Sequence, residues 1–293
     1  MSKKVSVIIP AYNNFKLLKQ FLPHVLRTMR SGDELIITDD ASTDQTNEYL
    51  IKKFNLKLVQ ENAKYRFYQN SRFSYQDKVV RVVLIANRKN LRFAGNINQA
   101  VKLAKHNLIF LLNSDVKPEK NVLDILVPHF EKDPNLFAVS CLEYEGKDKK
   151  APRAGKNKLW YEFGLFTHSK ADDFQAGETA WASGGSAMFN RKKWLELGGF
   201  DEKFYPAYWE DVDLSLRARK KGWRVYFEPK AVVYHQHEST NQSVFDQQEM
   251  MRLSFKQADY FTLKHGDFWQ KLAYFLWRPF WWYQRSKRLK IEN

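Results

Sequence analysis

Apolar residues follow two rhythms in the first half of this chain, and the two alternate. Val5-Ser6-Val7-Ile8-Ile9-Pro10 is a near-continuous apolar run, as expected of a strand buried on both faces. Leu18, Leu22, Val25, Leu26 and Met29 then recur at helical spacing, which predicts a helix over residues 15–29. The pair repeats as a strand over 34–38 ending on Asp39-Asp40, then a helix running to Phe54 with Ser42 as its N-cap. Residues 56–59 and 79–86 read as strands, and the polar, aromatic insertion 61–77 between them receives no assignment. Residues 95–106 read as a helix, and the very apolar 108–112 as a strand closing on Asn113-Ser114-Asp115. Such alternation predicts an α/β fold, a mostly parallel central sheet with helices on both faces. Ligands of these sheets bind beyond the carboxyl ends of the strands. Asp39, Asp40 and Asp115 all fall on that edge.

The second half is less regular. Residues 119–132 read as a helix and 137–142 as a strand, followed by a basic loop. Residues 181–190 read as a strand broken at Gly184-Gly185, and 191–197 as a short helix. A helix starting at Trp209 or Glu210 stops at Gly222, a C-terminal signal. Short strands over 223–227 and 232–234 lead into His235-Gln236-His237. From about Ser239 the chain becomes helical and amphipathic, a C-terminal helical extension.

Composition narrows the classes. The 293 residues can bury one large core with an appendage. A single cysteine, Cys141, excludes an intramolecular disulfide and a cysteine-based zinc site, and suits a reducing compartment. No signal peptide and no membrane-spanning apolar stretch is expected from the pattern. The net charge of +15 points to an anionic partner. Nucleic acid is not expected, because no helix-turn-helix, RNA-recognition or zinc-finger pattern accompanies the charge. In the tail, Trp269, Leu272, Phe275, Leu276, Trp277, Phe280, Trp281 and Trp282 are interleaved with or followed by Arg278, Arg285, Lys287, Arg288 and Lys290. That pattern suits a helix lying in an anionic membrane interface, and equally a helix packed on the domain or on another subunit.

The densest chemistry is Tyr208-Trp209-Glu210-Asp211-Val212-Asp213-Leu214. Carboxylates where a helix begins, beside a tryptophan, can be partly desolvated and aimed at a pocket, as a general base must be. They also complement the helix dipole without any catalytic duty. Asp213 has Arg217 four residues on, so an ion pair along the helix suits it better than catalysis. Gly184 and Gly185 either let the backbone approach a ligand closely or mark a bulge.

Seven motifs, in order, resemble the family 2 glycosyltransferases. They are residues 5–13 (VSVIIPAYN), 38–44 (TDDASTD), 90–98 (NLRFAGNIN), 112–115 (LNSD), 198–202 (GGFDE), 209–214 (WEDVDL) and His235. The resemblance is to the branch that includes bacterial rhamnosyltransferases and other cell-surface polysaccharide enzymes. It implies the GT-A fold over residues 1–238, with 239–293 as the extension. It also implies an inverting transfer from a nucleotide-diphospho-sugar, UDP- or dTDP-linked, to a hydroxyl of a cell-surface glycan or lipid-linked acceptor. By the same resemblance Pro10, Ala11, Tyr12, Asp39, Asp40, Asn98, Ser114 and Asp115 contact the donor, with Asp40 accepting from the base. Asp211 is the catalytic base, with Glu210 as its alternative. Trp209, Gly184 and Gly185 meet the acceptor. Asp115 and His235 bind a divalent cation, Mn²⁺ or Mg²⁺. Spacing alone does not separate His235 from His237, which share a strand face.

The chain departs from the family pattern twice. Asn113 stands for the first carboxylate of an Asp-x-Asp element, so the cation is expected to arrive largely with the diphosphate. Arg92 replaces a usual glycine. The expected setting is cytoplasmic, peripheral on the inner face of the cell membrane, with oligomeric state left open. A catalytically inactive protein of the same fold, bound at a membrane surface, is the alternative.

Overall fold

The computed structural model describes residues 2–236 and 247–291. The first half contains β1 (Val5–Ala11), α1 (Phe15–Thr28), β2 (Glu34–Asp39), α2 (Thr46–Phe54), β3 (Lys57–Glu61), β4 (Tyr65–Tyr75), β5 (Lys78–Asn87), α3 (Arg92–Leu103) and β6 (Leu108–Leu112). Then follow β7 (Val116–Pro118), α4 (Val122–Lys132), β8 (Leu136–Tyr144), β9 (Arg153–Ala154), β10 (Asn157–Glu162), β11 (Leu165–Lys170), β12 (Gly177–Glu178) and β13 (Ser186–Asn190). The remainder is α5 (Arg191–Glu196), α6 (Glu210–Lys220), β14 (Arg224–His235), α7 (Gln247–His265) and α8 (Phe268–Ile291).

The main sheet has the order β12-β14-β8-β13-β6-β1-β2-β5-β4-β3. Its centre, β6-β1-β2-β5, is parallel, as the unbroken apolar runs require. Alternation along each strand divides the core in two. Val5, Val7 and Ile9 pack with Leu18 and Leu22 of α1, Leu50 of α2 and Leu126 of α4. Ile8, Ile36 and Leu111 point the other way, onto Ile97 and Val101 of α3, Trp194 of α5 and Leu214 of α6.

Several local expectations need correction. The unassigned insertion is mostly β4, antiparallel to both β3 and β5. Only Phe67 in it is buried, so it carries no continuous apolar run. Ser42 caps no helix: α2 starts at Thr46, whose N–H donates to Asp44 Oδ1 at 3.0 Å. The strand expected over 181–190 is confined to β13, which is antiparallel to β6 and β8, and Gly184-Gly185 lie in the turn before it. The two short strands after Gly222 are one, β14, parallel to β8 with a register shift between Glu228 and Val232.

The segment following the basic loop forms a hairpin, β10-β11, that supports the C-terminal helices. Tyr161 Oη donates to Gln270 O at 2.8 Å, and Phe166 meets Phe261 edge-on with ring centroids 5.4 Å apart. Ala258, Phe261 and Tyr274 share a third apolar cluster with Phe204, Trp209 and Val212, so α7 seals the start of α6. The boundary at 238/239 and His237 lie outside the described residues.

Candidate active site

Beyond the carboxyl ends of β1, β2 and β6 lies a cavity of about 250 Å³. Pro10, Ala11 and Tyr12 line it from β1, Asp40 from β2, and Asn113, Ser114 and Asp115 from β6. Gly184, Gly185, Glu210 and Asp211 close it from the opposite side. Most of the site residues expected from sequence therefore share one space.

The acidic pair after β2 is split by direction. Asp40 faces the cavity and accepts from Leu91 N at 2.7 Å and Asn87 Nδ2 at 3.3 Å. Burial outweighs these hydrogen bonds and raises its carboxyl to about 6. Asp39 does not line the cavity. It accepts from Ser42 Oγ, from Ser42 N at 3.1 Å and from Asn47 Nδ2 at 3.0 Å, so it closes the turn into α2. Strand alternation is the reason, since neighbouring side chains leave opposite faces.

Asp115 is buried at the end of β6. Its Oδ1 lies 3.2 Å from His235 Nε2, while Oδ2 has no hydrogen-bond partner among the described residues. His235, the last residue of β14, places Nδ1 3.4 Å from Glu143 Oε2. Burial would lower the imidazole's pKa, but Asp115 and Glu143 outweigh it and lift it to about 10. Its positive charge balances the two buried carboxylates. Among the described residues no group of three or more His, Cys, Asp or Glu is arranged to hold an ion unaided. The donor set still fits a divalent cation. A buried carboxylate oxygen lacks a partner on the cavity wall, and an adjacent imidazole can give up its proton to a metal. A cation held there would complete its shell with further oxygen ligands.

On the facing wall, Asp211 accepts from Gly184 N at 3.2 Å and from Val212 N at 2.8 Å. Glu210 is buried, and its Oε2 has no partner among the described residues. Burial raises both carboxyls, and the two backbone N–H groups favour ionised Asp211 over ionised Glu210. Of the two, Asp211 is the better stabilised as a carboxylate and Glu210 the one favoured as the neutral acid. Gly185 is glycine because a Cβ there would lie 2.5 Å from Asn113 Nδ2.

Trp209 does not form a wall of this cavity. Tyr208 and Trp209 have φ of 76° and 72°, two left-handed residues in succession, each costing roughly 1–3 kcal/mol unless held by packing. The double turn sends Trp209 inward onto His168 and Phe261, with ring centroids 4.6 and 4.8 Å away, and leaves Tyr208 on the cavity. Asn98 is likewise structural. Its Oδ1 accepts from Phe200 N at 2.8 Å and its Nδ2 donates to Phe200 O at 2.8 Å, so it pins the 198–202 loop to α3. The sequence reading missed Asn14, Asn96 and Tyr208 on the wall. Asn14 Nδ2 donates to Ser114 Oγ at 2.7 Å, a link across 100 residues with no local signal.

The family model described as "Glycosyl transferase family 2" matches residues 6–198. The chain is 22% identical over 233 residues to a poly-beta-1,6-N-acetyl-D-glucosamine synthase of Staphylococcus aureus (strain COL), covering 78% of this chain and 49% of that protein. It therefore spans about half the length of that relative. It is 25% identical over 243 residues to the O-antigen chain rhamnosyltransferase RfbN of Salmonella typhimurium (strain LT2), covering 83% of this chain and 69% of that one. Among solved structures, the mannosyltransferase PcManGT of Pyrobaculum calidifontis, in complex with GDP-Man and Mn²⁺, superposes with a TM-score of 0.59 at 18% identity. That match covers 91% of this chain and 66% of that one, and the shared fold is GT-A.

Proposed function

Because the chain belongs to glycosyl transferase family 2, we propose that it moves a sugar from a nucleotide-diphospho-sugar to a hydroxyl of a cell-surface glycan or glycolipid acceptor, with inversion. One observation carries this reading: a single cavity gathers Asp40, Asp115 and Asp211 from three distant segments.

In this reading Pro10, Ala11 and Tyr12 bracket the nucleoside, and Asp40 accepts a hydrogen bond from a pyrimidine N–H, which suits UDP- or dTDP-sugars. Asp115 and His235 hold a divalent cation, Mn²⁺ or Mg²⁺. When bound, that ion neutralises the charge developing on the departing diphosphate. Asp211 takes the proton of the acceptor hydroxyl as its oxygen bonds to the anomeric carbon. The bond from that carbon to the diphosphate oxygen breaks with its electron pair, and the nucleoside diphosphate leaves. Glu210, protonated, keeps a second negative charge out of the same wall. Tyr208 takes the acceptor-side position expected of Trp209, and the backbone at Gly184 and Gly185 admits the sugar closely.

We assign the chemistry to residues 1–238 and a surface contact to the extension. Trp269, Leu276 and Trp282 of α8 are more than 70% exposed. The helix is anchored by buried Tyr274 and by Trp281 Nε1, which donates to Phe163 O at 2.6 Å. Among the described residues no helix is long and apolar enough to cross a membrane. An exposed aromatic face beside Arg278, Lys287 and Arg288 suits a helix lying on an anionic bilayer, at its cytoplasmic face.

A thermal-shift and product-release screen with UDP-, dTDP- and GDP-sugars and Mn²⁺ tests the central claim. One nucleotide class should raise Tm and release free nucleoside diphosphate when acceptor is supplied. Neither a shift nor release with any donor removes the proposal.

A further inference from the structure

Among the described residues, Arg92 is the only Lys, Arg or His on the wall of the cavity, against Asp40, Asp115, Glu210 and Asp211. It opens α3 with φ of 61°, a left-handed conformation in which glycine is the unstrained residue. A long cationic side chain kept at such a position calls for a reason. Holding the turn is not that reason, because the turn is held without the Arg92 side chain: Arg92 N donates to the side-chain Oδ1 of Asn90 at 3.0 Å.

The side chain reaches across the mouth of the cavity. Arg92 Nε donates to Tyr205 Oη at 3.2 Å, and the guanidinium lies 5.6 Å from the centre of the Tyr205 ring. Tyr205 is 56% exposed, so the pair sits at the rim. No ion pair among the described residues involves Arg92. The stack fixes the planar fork, leaving its terminal nitrogens to bind an oxyanion in two-pronged fashion.

Local contacts decide which substrate it meets. The next residue, Phe93, packs on Phe200 and lies 3.2 Å from where a Cβ of Gly184 would stand. Gly184 N is the donor that holds Asp211. Tyr205 lies three residues before Tyr208 on the chain leading into Glu210 and Asp211. The Arg92 main chain thus meets Asp40, whereas its side chain, through Tyr205, is tied to the wall that carries the base.

We propose that Arg92 is a specificity-determining residue that selects acceptors carrying an oxyanion, phosphate or carboxylate, close to the hydroxyl that is glycosylated. The inference rests on the transferase reading. A net charge of +15 would draw such acceptors to the mouth.

The test is calorimetric titration of the enzyme saturated with UDP and Mn²⁺, using glucose 6-phosphate, glucuronate and glucose as probes. In the native enzyme at least one anionic probe should bind roughly tenfold tighter than glucose, the ratio one charge-assisted hydrogen bond supplies. Comparing the two anions distinguishes phosphate from carboxylate recognition. R92G suits the left-handed turn, so its Tm should equal or exceed that of the native chain, while the preference for anions disappears. R92K, which keeps the charge and loses the fork, should retain part of the preference. Equal binding of all three probes by the native enzyme, or a preference that survives in R92G, overturns the assignment. So does a loss of UDP affinity in R92G as large as the loss for the anionic probes, which would place Arg92 on the donor. Failure of the native enzyme to bind UDP removes the transferase reading and this inference with it. UDP binding without anion selection removes only the inference.

Discussion

His265 Nε2 lies 2.7 Å from Asp213 Oδ1 and ties the end of α7 to the helix that begins with Glu210 and Asp211. Lys264 Nζ reaches the same oxygen at 2.6 Å, and Arg217 Nε reaches Oδ2 at 2.8 Å. Burial alone would raise Asp213, but His265, Arg217 and Lys264 outweigh it and hold the carboxyl below its usual range. The C-terminal extension is therefore part of the support of the α6 first turn.

His265→Ala should destabilise the protein by roughly 1.5–3 kcal/mol, the cost of one hydrogen bond to a charged group. Urea unfolding measures it. A change below a few tenths would mean that the latch contributes nothing.

Asp211→Asn should lower transfer by roughly 10²–10⁴-fold, the range for a lost general base, while UDP affinity stays close to native. Glu210→Gln should cost less, because Glu210 is read as already carrying a proton. Product-release rates alongside calorimetry separate the two variants. If Glu210→Gln is the more damaging, the roles of the pair are reversed.

If Asp40 binds the nucleoside as proposed, donor binding depends on pH. Its folded pKa of about 6 exceeds the ordinary 3.8, so its ionised form is disfavoured by folding. That cost is absent below the unfolded value, grows as pH rises through the window, and is complete above about 6. UDP affinity should accordingly fall as pH drops through about 6, as the carboxylate gains a proton. Asp40→Asn should bind UDP more weakly, yet be more stable at pH 7 by roughly 1–3 kcal/mol. Titrations at several pH values together with a stability curve check both halves. A pH-independent UDP affinity in the native chain would exclude Asp40 from base recognition.

Asp115→Ala should raise the Mn²⁺ concentration needed for half-maximal UDP binding by at least about tenfold. Chelation of divalent ions in the native protein should weaken UDP binding in the same way. An unchanged metal titration would refute the role of Asp115.

Leu276→Glu with Trp282→Glu should abolish sedimentation with vesicles containing phosphatidylglycerol and leave the cavity chemistry untouched. Native binding should weaken as salt rises, because part of it is screened charge attraction. If the native chain ignores such vesicles but dimerises through α8, the exposed face is a protein contact.

The strand–helix rhythm was legible in the chain itself, and with it the edge on which Asp39, Asp40 and Asp115 were expected. Buried parallel strands announce themselves as unbroken Val, Ile and Leu runs, and their ends are fixed by the first polar residue. The half-exposed β4 carried no such run, so its pairing with β5 became visible only in three dimensions.

Sequence alone placed Asp39, Asp40 and Asp115 at one edge of the sheet, because strand ends follow from local periodicity. Which of two neighbours turns its side chain into the cleft was decided by tertiary structure. Asp39 was taken by a turn and Asn98 by a distant loop, and two left-handed residues exchanged Trp209 for Tyr208. Such choices depend on partners distant in sequence, as does the grip of His265 on Asp213 across 52 residues. No spacing rule encodes them, since packing and hydrogen bonding select the side-chain direction only once the chain has closed.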